Sequence, residues 1–399
     1  MIPMVYTVYG FAVFFLVAWV CLWLIHIMAL SYSKWKLYRT VDRSPPELPY
    51  PGVSILKPLT GVDPNLESNL ETFFTLDYPT YELLFCVEDE RDEAVKVVNG
   101  LLHKYPEVEA RLFVGGSRVG VNPKINNMQP AYLSARHPLV LVSDSGIRMR
   151  EDALLDMVQQ MQSREDVGIV HQMPFACDAE GFAALYEKVY FGTTQARLYL
   201  SADFLGINCH VGMSSLVRRV ALDEVGGIAA FGEYLAEDYF MAKALVERGW
   251  RLRVASLPAL QNCGTRSVGG MQARLARWAR LRIAMLPATA LLEPLSECLP
   301  LGAGAAWAAG VLLSAEPLPF FLVHVLAWFL LDWLLLRTVQ NGSLPFTKVQ
   351  FLVGWVWSEA CAPLVLATAL LRPEIEWRTR SYRLEWGGRA HELKPKLKF

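Results

Sequence analysis

The chain has 399 residues, of which 53% are hydrophobic, and its formal net charge is −1. This hydrophobic fraction is too high for an ordinary soluble domain and indicates membrane segments. A net charge near zero argues against nucleic acid as a partner. The seven cysteines form no Cys-x-x-Cys pair, which indicates reduced thiols in the cytosol or membrane rather than a disulfide framework.

An uncharged stretch comes first. Residues 9–30 carry no Asp, Glu, Lys or Arg, and about a dozen of them are Leu, Ile, Val or Phe. At roughly −0.3 to −0.6 kcal/mol for each such residue, insertion into a bilayer is favourable. No small-residue cleavage site follows, so we expect an uncleaved anchor. Basic residues come next, which by the positive-inside rule places the middle of the chain in the cytosol: Lys34, Lys36, Arg39 and Arg43.

Five segments are predicted along the chain. They are an N-terminal transmembrane anchor (1–33), a proline-rich linker (34–51), a cytosolic α/β domain (52–282), interfacial and transmembrane helices (283–371) and a basic tail (372–399). The tail's Arg and Lys residues favour the cytosol, whereas three spans in the fourth segment would place the tail in the lumen. The side of the membrane on which the tail lies is therefore open.

Apolar runs and helical patterns alternate in the middle segment. Strands are predicted at 53–56, 83–87, 112–114, 139–142 and 168–170, and helices at 65–74, 93–105 and 151–161. This alternation predicts an α/β fold with a mostly parallel central sheet. Ligands of such sheets bind beyond the carboxyl ends of the strands, where residues 88–89 and Asp144 fall.

Acidic residues at these strand ends have two interpretations. Asp144 ends a strand in Asp-Ser-Gly and can hold Mg²⁺ or Mn²⁺, which would neutralise a diphosphate; a polar turn that caps the strand is the alternative. The acidic loop at 88–92 can bind a nucleotide or can simply precede a helix. Lys124, at a predicted helix start, suits a phosphate or is an ordinary surface lysine.

Two further groups follow in sequence. Glu237 and Asp238 open a helix, where acids complement the helix dipole or a positioned carboxylate removes a proton from a hydroxyl. Arg274, Arg277 and Trp278 share one helix face and can clamp a diphosphate, or they belong to a basic interfacial helix. The order of all these weak signals along the chain is improbable by chance.

In that order the residues resemble the Asp, Asp, Asp, (Gln/Arg)-x-x-Arg-Trp signature of inverting nucleotide-sugar glycosyltransferases with a GT-A (Rossmann-like) fold. The flanking motifs are similar to the ceramide glucosyltransferase family over nearly the whole chain. These motifs are Gly61-Val-Asp-Pro-Asn-Leu66, Gly120-Val-Asn-Pro-Lys-Ile-Asn-Asn127, Ser143-Asp-Ser-Gly-Ile-Arg148, Ala236-Glu-Asp-Tyr-Phe-Met-Ala-Lys243, Met285-Leu-Pro-Ala-Thr289 and Trp377-Arg-Thr.

The resemblance implies transfer of glucose from UDP-glucose to the primary hydroxyl of ceramide, with inversion, on the cytosolic face of the Golgi membrane. It implies that the residues which bind the nucleotide sugar are Asp92, Lys124, Asp144, Arg274, Arg277 and Trp278. It also implies that Asp144 holds the divalent cation and that Asp238 is the catalytic base. The acceptor-side candidates are Gln195, Cys209 and Glu237.

The chain departs from the family pattern at two positions. Asp144-Ser-Gly lacks the second Asp of the commoner Asp-x-Asp motif, and position 195 is Gln where animal members carry His. Two alternative functions are a processive polysaccharide synthase, which shares the signature, and a catalytically silent membrane protein that binds nucleotide sugars. A polymer channel would need more spans than the sequence offers.

Overall fold

The computed structural model describes residues 2–42, 49–177, 180–264, 267–377 and 380–393, without the side chains of residues 2–5 and 291. Parts of four predicted features lie outside these ranges: Arg43, the linker residues 43–48, the motif residues Arg378 and Thr379, and the end of the basic tail.

The strands in chain order are β1 Val53–Leu59, β2 Tyr81–Val87, β3 Ala110–Val114, β4 Leu139–Ser143, β5 Ile147–Arg148, β6 Val167–His171, β7 Pro174–Ala176, β8 Ser214–Arg218, β9 Arg251–Val254, β10 Ala259–Gln261, β11 Glu374–Trp377, β12 Arg380–Leu384 and β13 Ala390–Leu393. The α-helices are α1 Ile2–Lys36, α2 Leu66–Glu71, α3 Ala94–Lys104, α4 Pro123–Ser134, α5 Ala153–Gln162, α6 Phe182–Tyr190, α7 Ala196–Leu205, α8 Arg219–Asp223, α9 Glu237–Glu247, α10 Val268–Met285, α11 Thr289–Leu292, α12 Cys298–Leu313, α13 Pro317–Gln340 and α14 Lys348–Leu371. A π-helical turn, Phe191–Gln195, joins α6 to α7, and 3₁₀ turns lie at Ile228–Phe231 and Pro294–Ser296.

The chain forms two compact units. The helical unit contains Met1–Trp35, Gly181–Ser201 and Val268–Pro373. The sheet unit contains Lys36–Glu180, Ala202–Ser267 and Glu374–Phe399. The boundaries of the five predicted segments stay predictions.

The sheet unit is built on a central sheet whose described strands follow the order β3-β2-β1-β4-β8-β6-β9. β1 pairs in parallel with β2 and β4, β2 with β3, and β6 with β9. The prediction of an α/β fold with a mostly parallel sheet is confirmed, since all five predicted strands lie in it. β8 was not predicted; it runs antiparallel between β4 and β6.

The burial of the central strands explains why the sequence predicted them. Nearly every residue of β1, β2 and β4 is buried, because helices cover the sheet, and such strands appear as continuous apolar runs. The carboxyl ends of these three strands lie side by side in the sheet, and Asp144 follows β4 directly.

The predicted basic tail contains a small antiparallel sheet in which β12 pairs with β11 and β13. The side chains of Ile375 and Tyr382 are fully buried. The tail is also bound by its backbone, since the N–H of Ala390 donates to the carbonyl of Glu233 at 3.0 Å. These strands therefore form part of the packed sheet unit.

The helical unit contains helices long and apolar enough to cross a membrane at Tyr6–Lys36, Pro317–Gln340 and Lys348–Leu371. Large apolar side chains along them are exposed, among them Phe11, Leu322 and Leu352, as expected of surfaces that face lipid. The predicted N-terminal and C-terminal membrane helices are confirmed by length and composition. The stretch between α10 and α12, which contains Pro287 and Pro294, is broken into the short helix α11 and a 3₁₀ turn.

Buried polar groups join the long helices of this unit. Asp332 on α13 accepts from Arg197 at 3.0 Å and from the indole of Trp355 at 2.9 Å. Nε2 of His26 on α1 lies 3.2 Å from Oδ1 of Asp332. Glu359 on α14 is 5% exposed and accepts from the backbone of α12. Both carboxylates thus face protein, as expected of intramembrane acids.

Candidate functional site

The start of α4 places the lysine at the centre of the site. Asn122 caps this helix, because its side chain accepts from the backbone N–H groups of Lys124 at 2.8 Å and Ile125 at 3.3 Å. Pro123 occupies the first helical position, where a missing N–H costs nothing. Lys124 is thereby fixed in the first turn of α4.

Lys124 binds acceptors that come from three distant parts of the chain. Its Nζ lies 2.8 Å from Oδ1 of Asp144 and 3.3 Å from Oε1 of Glu237, and it donates to the carbonyl of Gly212 at 3.2 Å. We call Lys124, Asp144, Glu237 and Asp238 the Lys124 cluster. The structure thus brings together four of the residues that the sequence singled out.

The backbone holds Asp238 at the start of α9. Its Oδ2 accepts from the N–H of Gly212 at 2.7 Å, and its Oδ1 accepts from the N–H of Tyr239 at 2.8 Å. A Cβ on residue 212 would lie 2.8 Å from the Cβ of Asp238, so this close approach requires glycine. The side chain is partly exposed, and a second molecule can therefore reach it.

Burial and neighbouring charges shift two pKa values in the cluster. Burial raises the pKa of Glu237, and the charge of Asp238 raises it further, against the opposing effect of Lys124. Burial alone would lower the pKa of Lys124, but the carboxylates of Asp144 and Glu237 outweigh burial and raise it. The ammonium therefore stays protonated at neutral pH.

A second lysine, which the sequence analysis missed, lies behind Asp144. The side chain of Lys57 on β1 is fully buried; its Nζ donates to the carbonyl of Asp144 at 2.7 Å and lies 3.8 Å from the centre of the Phe73 ring. Burial lowers the pKa of Lys57 to about 7, against the opposing charge of Asp144. Its one sequence signal is a charged residue inside an apolar strand.

His210 also lies beside the cluster and was missed. Its Nδ1 lies 3.2 Å from the carbonyl of Asp238, and its Nε2 lies 2.7 Å from the hydroxyl of Ser215. Burial lowers the pKa of His210 to about 4. The ring is therefore neutral at pH 7 and positions the start of α9 by hydrogen bonding rather than by charge.

Asp92 has a different set of partners. Its Oδ2 accepts from the N–H of Gly61 at 2.8 Å and its Oδ1 from the N–H of Ala94 at 2.9 Å. The carboxylate thereby ties the loop after β1 to the first turn of α3, rather than joining the Lys124 cluster. Its predicted role in binding the nucleotide stays a prediction.

The predicted arginines and tryptophan lie on α10 in the helical unit. The guanidinium of Arg274 lies 4.6 Å from the centre of the Trp278 ring, and its Nη1 lies 3.2 Å from Oε1 of Glu187. Glu187, on α6, is buried, and no local pattern in the sequence indicates this pair because the two residues lie 87 positions apart. The predicted convergence of Arg274 and Arg277 with the acidic residues around one bound nucleotide sugar stays a prediction.

The acceptor-side candidates lie in different elements. Gln195 is buried in the π-helical turn, and its amide donates to the hydroxyl of Tyr190 at 2.9 Å. Cys209 is partly buried in the loop that precedes His210. Glu237 belongs to the Lys124 cluster. That these three residues face the acceptor stays a prediction.

The chemistry of Asp144 fits a hard divalent cation. Its carboxylate offers oxygen ligands, which Mg²⁺ and Mn²⁺ prefer, and its side chain is 39% exposed. Among the described residues, no group of three His, Cys, Asp or Glu side chains can hold a metal ion. Asp144 thus offers an accessible carboxylate to such an ion, and a bound ligand and water would supply the remaining oxygens.

We expect the stability of the protein to rise between about pH 7 and pH 9, and this rise to be lost in Lys57→Met. The pKa of Lys57 is about 7 in the folded chain and returns to about 10.4 on unfolding. Between these values the unfolded chain binds more protons, so the fold gains up to about 1.4 kcal/mol per pH unit. Thermal unfolding in detergent measures this, with the exposed Lys96→Met as control. Parallel curves for wild type and Lys57→Met would contradict the expectation.

Comparisons with known proteins assign the chain to a family. The family model described as Glycosyl transferase family 21 matches residues 21–390. Ceramide glucosyltransferase 3 of Caenorhabditis elegans is 49% identical over 376 residues, which cover 94% of this chain and 81% of that protein. Ceramide glucosyltransferase 1 of the same organism is 45% identical, with 94% and 79% covered.

One solved structure shows a looser likeness. The mannosyltransferase PcManGT from Pyrobaculum calidifontis, in complex with GDP-Man and Mn²⁺, is 18% identical at a TM-score of 0.49, with 92% of this chain and 98% of that chain covered. The family model and the sequence relatives carry the assignment by themselves. The chain therefore belongs to glycosyl transferase family 21, alongside the ceramide glucosyltransferases of Caenorhabditis elegans.

Proposed function

We propose that this glycosyltransferase transfers glucose from UDP-glucose to the primary hydroxyl of ceramide and releases UDP and β-glucosylceramide. The observation that carries the proposal is 49% identity to a ceramide glucosyltransferase over 94% of this chain. The Lys124 cluster supports it, since it gathers the acids that the predicted chemistry needs. The long apolar helices support it as well, because ceramide is largely hydrocarbon.

Asp238 is the proposed base. Two backbone N–H groups fix its carboxylate, which remains partly exposed, so that a hydroxyl can approach a carboxylate of defined orientation. Asp238 takes the proton from the ceramide hydroxyl while the hydroxyl oxygen attacks the anomeric carbon of glucose. The bond from that carbon to the diphosphate breaks on the opposite face, and the configuration inverts.

Charge grows on the diphosphate as this bond breaks. Asp144 is the proposed ligand of Mg²⁺ or Mn²⁺, and a cation bound there supplies charge neutralisation to the leaving group. Arg274 and Arg277 are proposed to add positive charge, with Trp278 as a wall of the site. Asp92 and Lys124 are proposed to hold the nucleotide sugar, and Gln195, Cys209 and Glu237 to face the acceptor.

We place the enzyme in the Golgi membrane, with its sheet unit in the cytosol. The chain leaves the sheet unit after Ser267 and returns to it at Glu374. Because both parts of this unit are placed in the cytosol, the residues between them must cross the bilayer an even number of times. α13 and α14 supply two crossings, whereas the 16 residues of α12 fall short of the roughly 20 that a span needs. The tail therefore shares the face of the catalytic residues, and residues 341–347 lie on the other face.

Incubation of the purified full chain with UDP-glucose and a fluorescent ceramide tests the function. We expect one glucose to be transferred to each lipid, in the β configuration, with release of one UDP. Thin-layer chromatography and mass spectrometry of the product measure the transfer. Polymeric product would favour a polysaccharide synthase, and binding of UDP-glucose without any product would favour a silent binding protein; either result rejects the proposal.

Asp238→Asn should lower turnover by at least ~100-fold, because a positioned base typically contributes about 10² to 10⁴ in rate. The amide cannot accept the proton, although it keeps the shape of the side chain. Isothermal titration with UDP should show little change in affinity, and Asp223→Asn, which alters an exposed acid on α8, is the control. Turnover near that of the wild type would reject the role of Asp238.

The topology is tested with epitope tags in sealed Golgi vesicles of known orientation. Tags in the exposed turn at residues 90–91 and in the turn at Gly387–Gly388 should both be accessible to antibody from the cytosolic side. A tag at residues 342–343 should become accessible only after the membrane is permeabilised. Protection of the tag at 387–388 together with exposure of the tag at 90–91 would reject this topology.

A further inference from the structure

Each of the three N–H groups of the Lys124 ammonium has a protein acceptor within reach. An ammonium has three donors, and the structure gives Lys124 three acceptors: Asp144 at 2.8 Å, Glu237 at 3.3 Å and the carbonyl of Gly212 at 3.2 Å. Its side chain is 15% exposed. Lys124 cannot bind a phosphate in this arrangement unless it first leaves one of these partners.

The three partners differ in how readily they can be exchanged. Glu237 is 9% exposed at its side chain and is held as well by the amide of Asn122 at 2.9 Å, while Gly212 contributes a backbone carbonyl. The side chain of Asp144 is 39% exposed, so water can solvate it when it separates from Lys124. Breaking an ion pair costs least where a released charge is solvated. Asp144 is therefore the partner that is exchanged.

The charge of the cluster requires such an exchange. The carboxylates of Asp144, Glu237 and Asp238 lie around the Lys124 ammonium, and the protonated form of Lys57 adds at most one further positive charge. A cluster of that composition is negative in sum and repels a diphosphate unless a cation arrives with it. Lys124 and the divalent cation thus compete for the carboxylate of Asp144.

We propose that Lys124 is an internal counter-ion that occupies Asp144 while the donor is absent and gives up Asp144 to the divalent cation when the cation and diphosphate bind together. Lys124 then keeps Glu237 and Gly212, and its third N–H becomes available to an anion. The inference rests on the proposed function for the identity of the diphosphate. The exchange makes the cation bind weakly without the nucleotide and strongly with it. By linkage, the cation tightens nucleotide binding by the same factor.

Titration of Mn²⁺ into the purified full chain, followed by the electron paramagnetic resonance of free Mn²⁺, tests this role. In the wild type, UDP should tighten Mn²⁺ binding about tenfold or more. Without UDP, Lys124→Met should bind Mn²⁺ about fivefold more tightly than the wild type, because no ammonium competes for Asp144. In this variant UDP should tighten Mn²⁺ binding by a smaller factor than in the wild type. Mn²⁺ affinity equal to or weaker than that of the wild type would overturn the proposal.

Three further variants keep the result interpretable. Lys124→Met combined with Glu237→Gln avoids a buried unpaired carboxylate if the single variant folds poorly, and it should show the same gain for Mn²⁺. Adding Asp144→Asn to Lys124→Met should abolish the increase in Mn²⁺ affinity. If the increase persisted, the ion would bind at another position, and the proposal would be overturned. Lys243→Met removes an exposed ammonium that pairs with Glu247 on α9, and it should leave Mn²⁺ binding unchanged.

The failure of this proposal differs from the failure of the proposed function. A wild type that makes no glucosylated lipid would reject the function, while the titration of Mn²⁺ alone would still report whether Lys124 competes for Asp144. A wild type that makes the lipid, together with an unchanged Mn²⁺ affinity in Lys124→Met, would reject only the role of Lys124.

Discussion

The site depends on one ammonium that carboxylates share. Lys124 lies between Asp144 and Glu237, and its Nζ is 2.8 Å from a carboxylate oxygen of the first and 3.3 Å from one of the second. Without that positive charge, Glu237 would be a buried carboxylate with no counter-charge, a costly arrangement even with the hydrogen bond from Asn122. The side-chain oxygen of Asn122 accepts from the backbone N–H of Lys124, and its amide nitrogen donates to Glu237. The start of α4 therefore organises the whole cluster.

The chain combines two environments that make opposite demands on side chains. Its sheet unit gathers the residues of the Lys124 cluster at strand and helix ends, where the side chain of Asp144 is 39% exposed. Its helical unit exposes apolar side chains on helices long enough to span a bilayer and turns acids such as Asp332 and Glu359 inward. A transferase that joins a charged nucleotide sugar to a hydrocarbon acceptor needs both environments, which accounts for the composition of the chain.

The fold was predictable where burial on both faces leaves continuous apolar runs, as in β1, β2 and β4. β8 was missed because Ser214 and Ser215 interrupt the apolar pattern; their hydroxyls are buried and bonded to neighbouring side chains, a fact no local pattern shows. The strands of the tail were missed because charges alternate with Ile375 and Tyr382, so that the segment has the composition of a basic tail. The side chains that face inward become apparent only once the tail is packed.

The sequence by itself determined the α/β class, the membrane helices and the family, and it singled out Lys124, Asp144, Glu237 and Asp238 as candidates, because periodicity, strand ends and motif order are local properties. The tertiary structure alone decided that Lys124 pairs with Asp144 and Glu237, that Lys57 lies buried behind Asp144, and that Glu187 holds Arg274. Such pairs join residues tens of positions apart. Their energies depend on distance and burial, and neither quantity exists until the chain has folded.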